Sequence, residues 1–152
     1  MVEASSCCRL LLVNQVAGPL ARELLEDLCA AGLDCAVVTG WLEGPAHPRS
    51  PFRRLPATPL VKAPAWRRLW SWAVFTLQAC RHLAFARPDL VLVATNPPWV
   101  MLAMPFLRRL FGVRYALQIY DIYPDLLARM GMIRPGGVID RAWRRLSREA
   151  LR

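Results

Sequence analysis

The chain has almost no lysine and almost no histidine. Lys62 is the only lysine among 20 basic residues, and His47 and His82 are the only histidines. His47 sits in a proline-rich stretch and His82 follows Arg81, neither with a second ligand at metal-binding spacing, so no metal site is expected. The five cysteines are Cys7, Cys8, Cys29, Cys35 and Cys80. No two of them form a C-x-x-C pair, which argues against a zinc ribbon or a dithiol redox centre and reads as free thiols in a reducing compartment. Phosphate-binding signatures are missing too. Neither G-x-G-x-x-G nor a Walker A loop occurs, and no acid ends the second strand to grip a ribose, so a nicotinamide dehydrogenase and a P-loop NTPase are both disfavoured. The longest charge-free stretch in the tryptophan-rich segment, Leu69 to Cys80, falls well short of the roughly 20 residues a bilayer span demands. The start carries Glu3 and no basic n-region, and the apolar run Leu10 to Val13 is too short for a signal peptide. These absences lead to the expectation of a cytoplasmic protein.

What is present is enough apolar residue for one domain. The chain has 152 residues, 55% of them hydrophobic and 20% charged, a balance that permits a real core and excludes disorder as the main state. The net charge is +9, nearly all of it from arginine. Such a surface attracts phosphates, anionic lipid or nucleic acid. No nucleic-acid-binding motif accompanies it, so nucleic acid is not expected as a partner.

The order of apolar runs predicts alternating strands and helices. Arg9 to Val13 reads as a strand. A helix opens at Pro19, where the missing N–H costs nothing. Leu20, Leu24, Leu25 and Leu28 recur at helical spacing, and Gly32 ends the helix. Cys35 to Thr39 is the next strand. Trp41 to Ala63 reads as a long proline-rich loop, interrupted by a short strand around Leu60 to Lys62; loops of this length are often functional. Pro64 to Ala86 is a helix. Leu90 to Ala94 is a near-continuous apolar strand, of the type buried on both faces. Asn96-Pro97-Pro98 ends it, a helix follows from about Trp99 to Phe111, and Gly112 stops that helix. Tyr115 to Ile119 is a strand, Leu126 to Met130 a short helix, and Val138 to Arg152 a basic amphipathic helix. The pattern is that of a Rossmann-like α/β domain, a parallel sheet flanked by helices, over residues 1–152.

In such a sheet, ligands bind at the carboxyl ends of the strands. The informative loops are therefore Asn14 to Pro19, Thr95 to Pro98 and Tyr120 to Asp125. Gly18 precedes a helix N-terminus, where free N–H groups attract anions; it can equally serve only a tight turn. Asp121 stands just past a strand, where a reactive carboxylate would stand, and can equally brace its loop. Asp125 reads as a helix-start acid. Asn96, Pro97 and Pro98 make a rigid turn that either holds a substrate loop or simply ends a strand. Trp66 and Trp70, with Arg67 and Arg68, have the composition of a helix lying on a bilayer; the competing reading packs the aromatics on the sheet. Packing is expected for Phe75, Leu77 and Leu83. The last helix carries an apolar stripe of Ile139, Trp143, Leu146 and Ala150 that needs a membrane or a partner to cover it.

Taken together, four segments resemble the N-terminal domain of glycosyltransferase family 4, most of all members that build bacterial capsules, O-antigens and exopolysaccharides. They are Leu20 to Gly40, Arg87-Pro-Asp-Leu-Val-Leu-Val-Ala-Thr-Asn-Pro-Pro98, Tyr120-Asp-Ile-Tyr-Pro-Asp125, and Gly131-Met-Ile with the Trp/Arg-rich helix that follows. The resemblance implies the N-terminal, acceptor-side half of a GT-B fold, with the donor-binding domain not included. It implies transfer of a sugar from a nucleotide-sugar, with retention and without a bound metal or other cofactor, to a glycan or lipid-linked acceptor. Such enzymes work in cell-surface polysaccharide synthesis, peripherally on the inner face of the membrane. By position it places Gly18 near the donor diphosphate and Asp121 at the catalytic cleft. Asn96, Pro97 and Tyr120 are the candidate acceptor-binding residues, and Trp66, Arg67, Arg68 and Trp70 the candidate membrane contacts. The first loop has one glycine where relatives often have two. The alternative class is a non-catalytic module that binds a membrane or a partner through its basic helices. The expectation for residues 1–152 alone is no transferase activity; sugar transfer from a nucleotide-sugar by the purified chain would contradict it.

Overall fold

A computed structural model of the chain describes residues 8–44, 50–129 and 131–152. Cys7, Pro45, His47, Pro48, Arg49 and Met130 lie outside the described residues. Five parallel strands form the central sheet in the order β5-β3-β1-β6-β7. They are β1 (Arg9–Val13), β3 (Asp34–Thr39), β5 (Arg53–Pro56), β6 (Leu90–Ala94) and β7 (Tyr115–Gln118). Two short strands, β2 (Val16–Ala17) and β4 (Trp41–Leu42), pair with each other beyond β1 and β3. The helices are α1 (Pro19–Ala30), α2 (Ala65–Ala86), α3 (Pro98–Phe111), α4 (Asp125–Arg129) and α5 (Val138–Ala150).

Period-two alternation splits β1 between two cores. Leu11 and Val13 face Phe75, Ala79 and Leu83 of α2 and Val100, Met104 and Leu107 of α3. Leu10 and Leu12 face Ala21 and Leu25 of α1, together with Phe52. The two faces are unequally covered. Leu90 and Leu92 of β6 point to the α1 side and stay half-buried. The expectation of a strand buried on both faces is therefore met on the α2/α3 side only.

Several expectations shift. No strand forms at Leu60 to Lys62; the edge strand is Arg53–Pro56, in register with Ala36–Thr39. An edge position tolerates its terminal proline, and Pro59 stands between it and Leu60. In α1 the inward line runs through Ala21 and Leu25, while Leu20 is 72% exposed in the first turn. Leu77 does not pack: it is 73% exposed, because the inward arc of α2 is filled by Trp72, Phe75, Ala79 and Leu83. The apolar stripe of α5 is covered from within only in part, with Ile139 62% exposed. Ala150 is buried and the Trp143 ring stacks on Tyr123 at 6.0 Å. Asp125 has the structural role expected of it: it opens α4 and pairs with Arg144, which also holds the buried Asp140. The Gly136 amide donates to that same Asp140 carboxylate and, with Arg144, holds it below the usual carboxylate range.

Two glycines differ sharply in what surrounds them. A Cβ on Gly40 would fall 2.4 Å from the Pro59 Cα and 2.5 Å from the Thr58 oxygen, both backbone atoms. A Cβ on Gly18 would meet only a Glu43 carboxylate oxygen, at 4.0 Å. Gly40→Ala is therefore expected to destabilise the fold by about 1–3 kcal/mol, the range for overpacking. Gly18→Ser, which puts a favoured N-cap residue at the start of α1, is expected to stay within about 0.5 kcal/mol of the parent. Urea unfolding of both variants checks the contrast; equal losses would contradict it.

Candidate functional site

The carboxyl ends of β1, β6 and β7 lie side by side, and hydrogen bonds lace their loops together. From the β1 loop, the Gln15 amide donates to the Asn96 carbonyl at 3.0 Å. From the β7 loop, the Tyr120 amide donates to the Thr95 hydroxyl oxygen at 2.9 Å, with the Asp121 amide at 3.5 Å from the same oxygen. Thr95 and Gln15 are themselves buried. The result is a continuous rim that carries Gly18, Asn96 and Asp121 in adjacent loops.

Gln15 is the knot of this rim. Its carbonyl accepts from the Gly40 and Trp41 amides, and its side-chain amide donates to the Thr58 and Ser71 carbonyls. One residue thus joins β1, β6, the end of β3, the loop before α2 and α2 itself. Its Oε1 is buried and meets no donor among the described residues.

Each residue singled out in the sequence has a definite place. Gly18 is the N-cap of α1 with φ −76°, a backbone angle open to any residue. The turn therefore does not need glycine there, and Pro19 occupies the first helical position as expected. Asn96 is half-buried and joined to the buried Pro97 by a cis peptide bond, with Pro97 capping α3. Tyr120 is 50% exposed and Asp121 is exposed on the rim. Among the described residues no ion pair engages the Asp121 carboxylate. An exposed carboxylate at a strand's carboxyl end stands where ligands bind in such sheets.

The sequence carried Tyr123 within the Tyr120 to Asp125 loop without giving it a role of its own. Burial pushes its hydroxyl above the ordinary phenol range, and the nearby Asp121 charge adds to the effect while Arg68 opposes it. Asp121, Tyr123 and Arg68 therefore share one electrostatic neighbourhood, backed by the Trp143 ring. The Arg68 guanidinium lies over the Trp72 ring at 5.6 Å and its Nη2 reaches the Met132 sulfur. Arg68 is thus turned inward, away from Trp66 and Trp70, which are 64% and 69% exposed. Arg67 stays with them, its guanidinium 5.1 Å from the centre of the Trp66 ring. Thr95, Gln15 and Tyr123 were visible only as polar or aromatic residues just beyond strand ends, a signal too common to single them out.

A cavity of about 470 Å³ lies along the outer side of β7, lined by Arg108, Arg114, Leu117 and Ile119 among others. Among the described residues no three His, Cys, Asp or Glu side chains gather as a metal site. No helix there is long and apolar enough to cross a membrane.

A five-stranded parallel sheet flanked by helices has counterparts among solved proteins. The structure of the glycosyltransferase of kitacinnamycin superposes with a TM-score of 0.52 at 14% identity, over 83% of this chain and 34% of that one. UGT73P12 of Glycyrrhiza uralensis superposes with a TM-score of 0.52 at 9% identity, over 74% of this chain and 28% of that one. The fold is that of a GT-B glycosyltransferase domain. A probable glycosyltransferase of Pseudomonas aeruginosa, WbjE, is 33% identical over 60 residues, which is 40% of this chain and 15% of that protein. The chain therefore spans a small part of that curated relative and about a third of the solved ones. No family model matches. This GT-B-like chain is glycosyltransferase-like in fold and, over a local stretch, in sequence.

Within the GT-B-like domain, the Thr95 hydroxyl is the atom that fixes the Tyr120–Asp121 loop to β6. Thr95→Val keeps the shape and removes the acceptor. It is expected to cost about 1 kcal/mol and to speed hydrogen exchange at the Tyr120 amide selectively. Unchanged exchange there would show that the loop is held by something else.

Proposed function

We propose that the chain forms the acceptor-side wall of a retaining glycosyltransferase. In this reading a donor-binding domain supplies the other wall and grips a nucleotide-sugar. The acceptor is a glycan or lipid-linked glycan of cell-surface polysaccharide synthesis, and the enzyme works peripherally at the inner face of the membrane. The observation that carries the reading is the laced rim: three loops at the carboxyl edge of a GT-B-like sheet, with Asp121 exposed and in no ion pair among the described residues. The local likeness to a probable glycosyltransferase supports the same class.

The roles follow from position. Asp121 is the catalytic carboxylate of this wall, placed to exchange a proton with the acceptor hydroxyl or to stabilise positive charge as the donor's glycosidic bond breaks. Tyr120 offers an exposed ring edge and hydroxyl to a sugar, and Asn96 and Pro97 shape the floor beside it. Gly18 leaves open space at the start of α1, where a diphosphate can approach the helix N-terminus. Trp66, Arg67 and Trp70 meet the membrane near this rim, and Arg68 steadies Tyr123 from the inner side of the same helix. A non-catalytic membrane-binding module would share those tryptophans but would have no use for Asp121.

Sugar transfer by the chain supplied with a donor-binding domain, fused or separate, tests the assignment. Asp121→Asn is expected to lower kcat by about 10²-fold or more, with little change in acceptor KM. Unchanged kcat would remove Asp121 from the chemistry and favour the binding-module reading.

A further inference from the structure

The outward face of α2 is apolar well beyond its tryptophan tip. At 3.6 residues per turn, Trp66, Trp70 and Leu77 fall within about 40° of one another around the helix axis. Their exposures are 64%, 69% and 73%, and Phe85, about 60° further round than Trp70, reaches 82%. Leu69, at the tip, lies about 60° to the other side of Trp66. Trp72, Phe75, Ala79 and Leu83 meanwhile fill the opposite side against the sheet. So α2 carries two apolar faces, and only one of them is used by the fold. A helix of 22 residues is about 33 Å long, and an exposed apolar line of that reach calls for a covering phase.

The chemistry of the face selects the phase. The helix contains no aspartate or glutamate anywhere in its sequence. Arg67 and Arg81 are exposed as well, about 60° and 20° round the axis from Trp70, on the Phe85 side of the face. Tryptophan at one end is the residue type that settles at the headgroup level. A protein partner would call for a mixed polar rim, whereas apolar residues interspersed with one sign of charge match an anionic lipid surface. The helix is too polar to cross a bilayer, so it would lie on one.

We propose that α2 docks lengthwise on an anionic bilayer, with Trp66, Trp70, Leu77 and Phe85 in the headgroup region and Arg67 and Arg81 against lipid phosphates. The proposal extends the tip contact put forward above to the whole helix. It also sets the geometry of the site. Through Ser71 and Arg68, the first turns of α2 touch Gln15 and the neighbourhood of Asp121, so a flat-lying α2 holds the rim beside the membrane, within reach of a lipid-anchored acceptor.

Vesicle flotation of the 152-residue chain tests this without any need for catalysis. Vesicles of mixed phosphatidylglycerol and phosphatidylcholine are compared with phosphatidylcholine alone. Leu77→Glu and Phe85→Glu change exposed side chains, and circular dichroism checks that both variants fold. The parent is expected to float with anionic vesicles and not with neutral ones. Each Glu variant is expected to bind about tenfold more weakly, as lost burial of one large apolar side chain implies. If both Glu variants float like the parent while Trp66→Ala/Trp70→Ala does not, lengthwise docking is overturned and only the tip contact survives. Equal flotation with neutral vesicles overturns the anionic requirement. A stable dimer with no flotation would overturn the proposal and assign the face to a second copy.

Discussion

The buried side chain and backbone of Gln15 hold the working edge of this domain together. A glutamine with no solvent exposure must satisfy its polar groups within the protein or pay a desolvation cost of kilocalories. Here it satisfies most of them by joining strands that are far apart in sequence: its amide to Asn96, its carbonyl to the Gly40 and Trp41 amides, its side chain to Thr58 and Ser71. The close approach of Pro59 to Gly40 follows from the same knot. With these contacts in place, the β1 and β6 loops cannot part, and Thr95 extends the lacing to the β7 loop. The three loops are therefore tied to one another through buried groups.

The architecture was legible in the sequence because its signals are strong and redundant. Strand and helix alternated at the right lengths, Gly32 and Gly112 stopped helices, and Pro19 opened one. The failures share a cause: periodicity reports which residues are apolar, not how many faces of an element the fold will cover. Leu77 and Leu20 fit the apolar pattern yet point outward, since the inward arcs were already filled by Phe75 and Leu25. The strand at Arg53–Pro56 was hidden by its arginines and proline, which an edge position accepts.

The candidate edge was legible by loop but not by hydrogen-bond partner. Topology alone placed Gly18, Asn96 and Asp121 on one edge. It could not reveal that Arg68 turns inward to Trp72 and Met132, because the helical angle between Trp66 and Arg68 matters only once the core direction of α2 is known. The different positions of Asp121, just past a strand, and Asp125, at a helix start, were already readable. The structure adds their partners: Asp125 pairs with Arg144, while Asp121 is exposed and in no ion pair among the described residues.

The central claim is that the laced carboxyl edge is an acceptor-binding wall. Nuclear magnetic resonance titration of the isotope-labelled chain with a short-chain polyprenyl-diphosphate monosaccharide addresses it most directly. The account predicts amide shifts concentrated at Gln15 to Gly18, Asn96, and Tyr120 to Tyr123. Shifts confined to the opposite edge of the sheet or to the outer side of β7, with the rim silent, would contradict it.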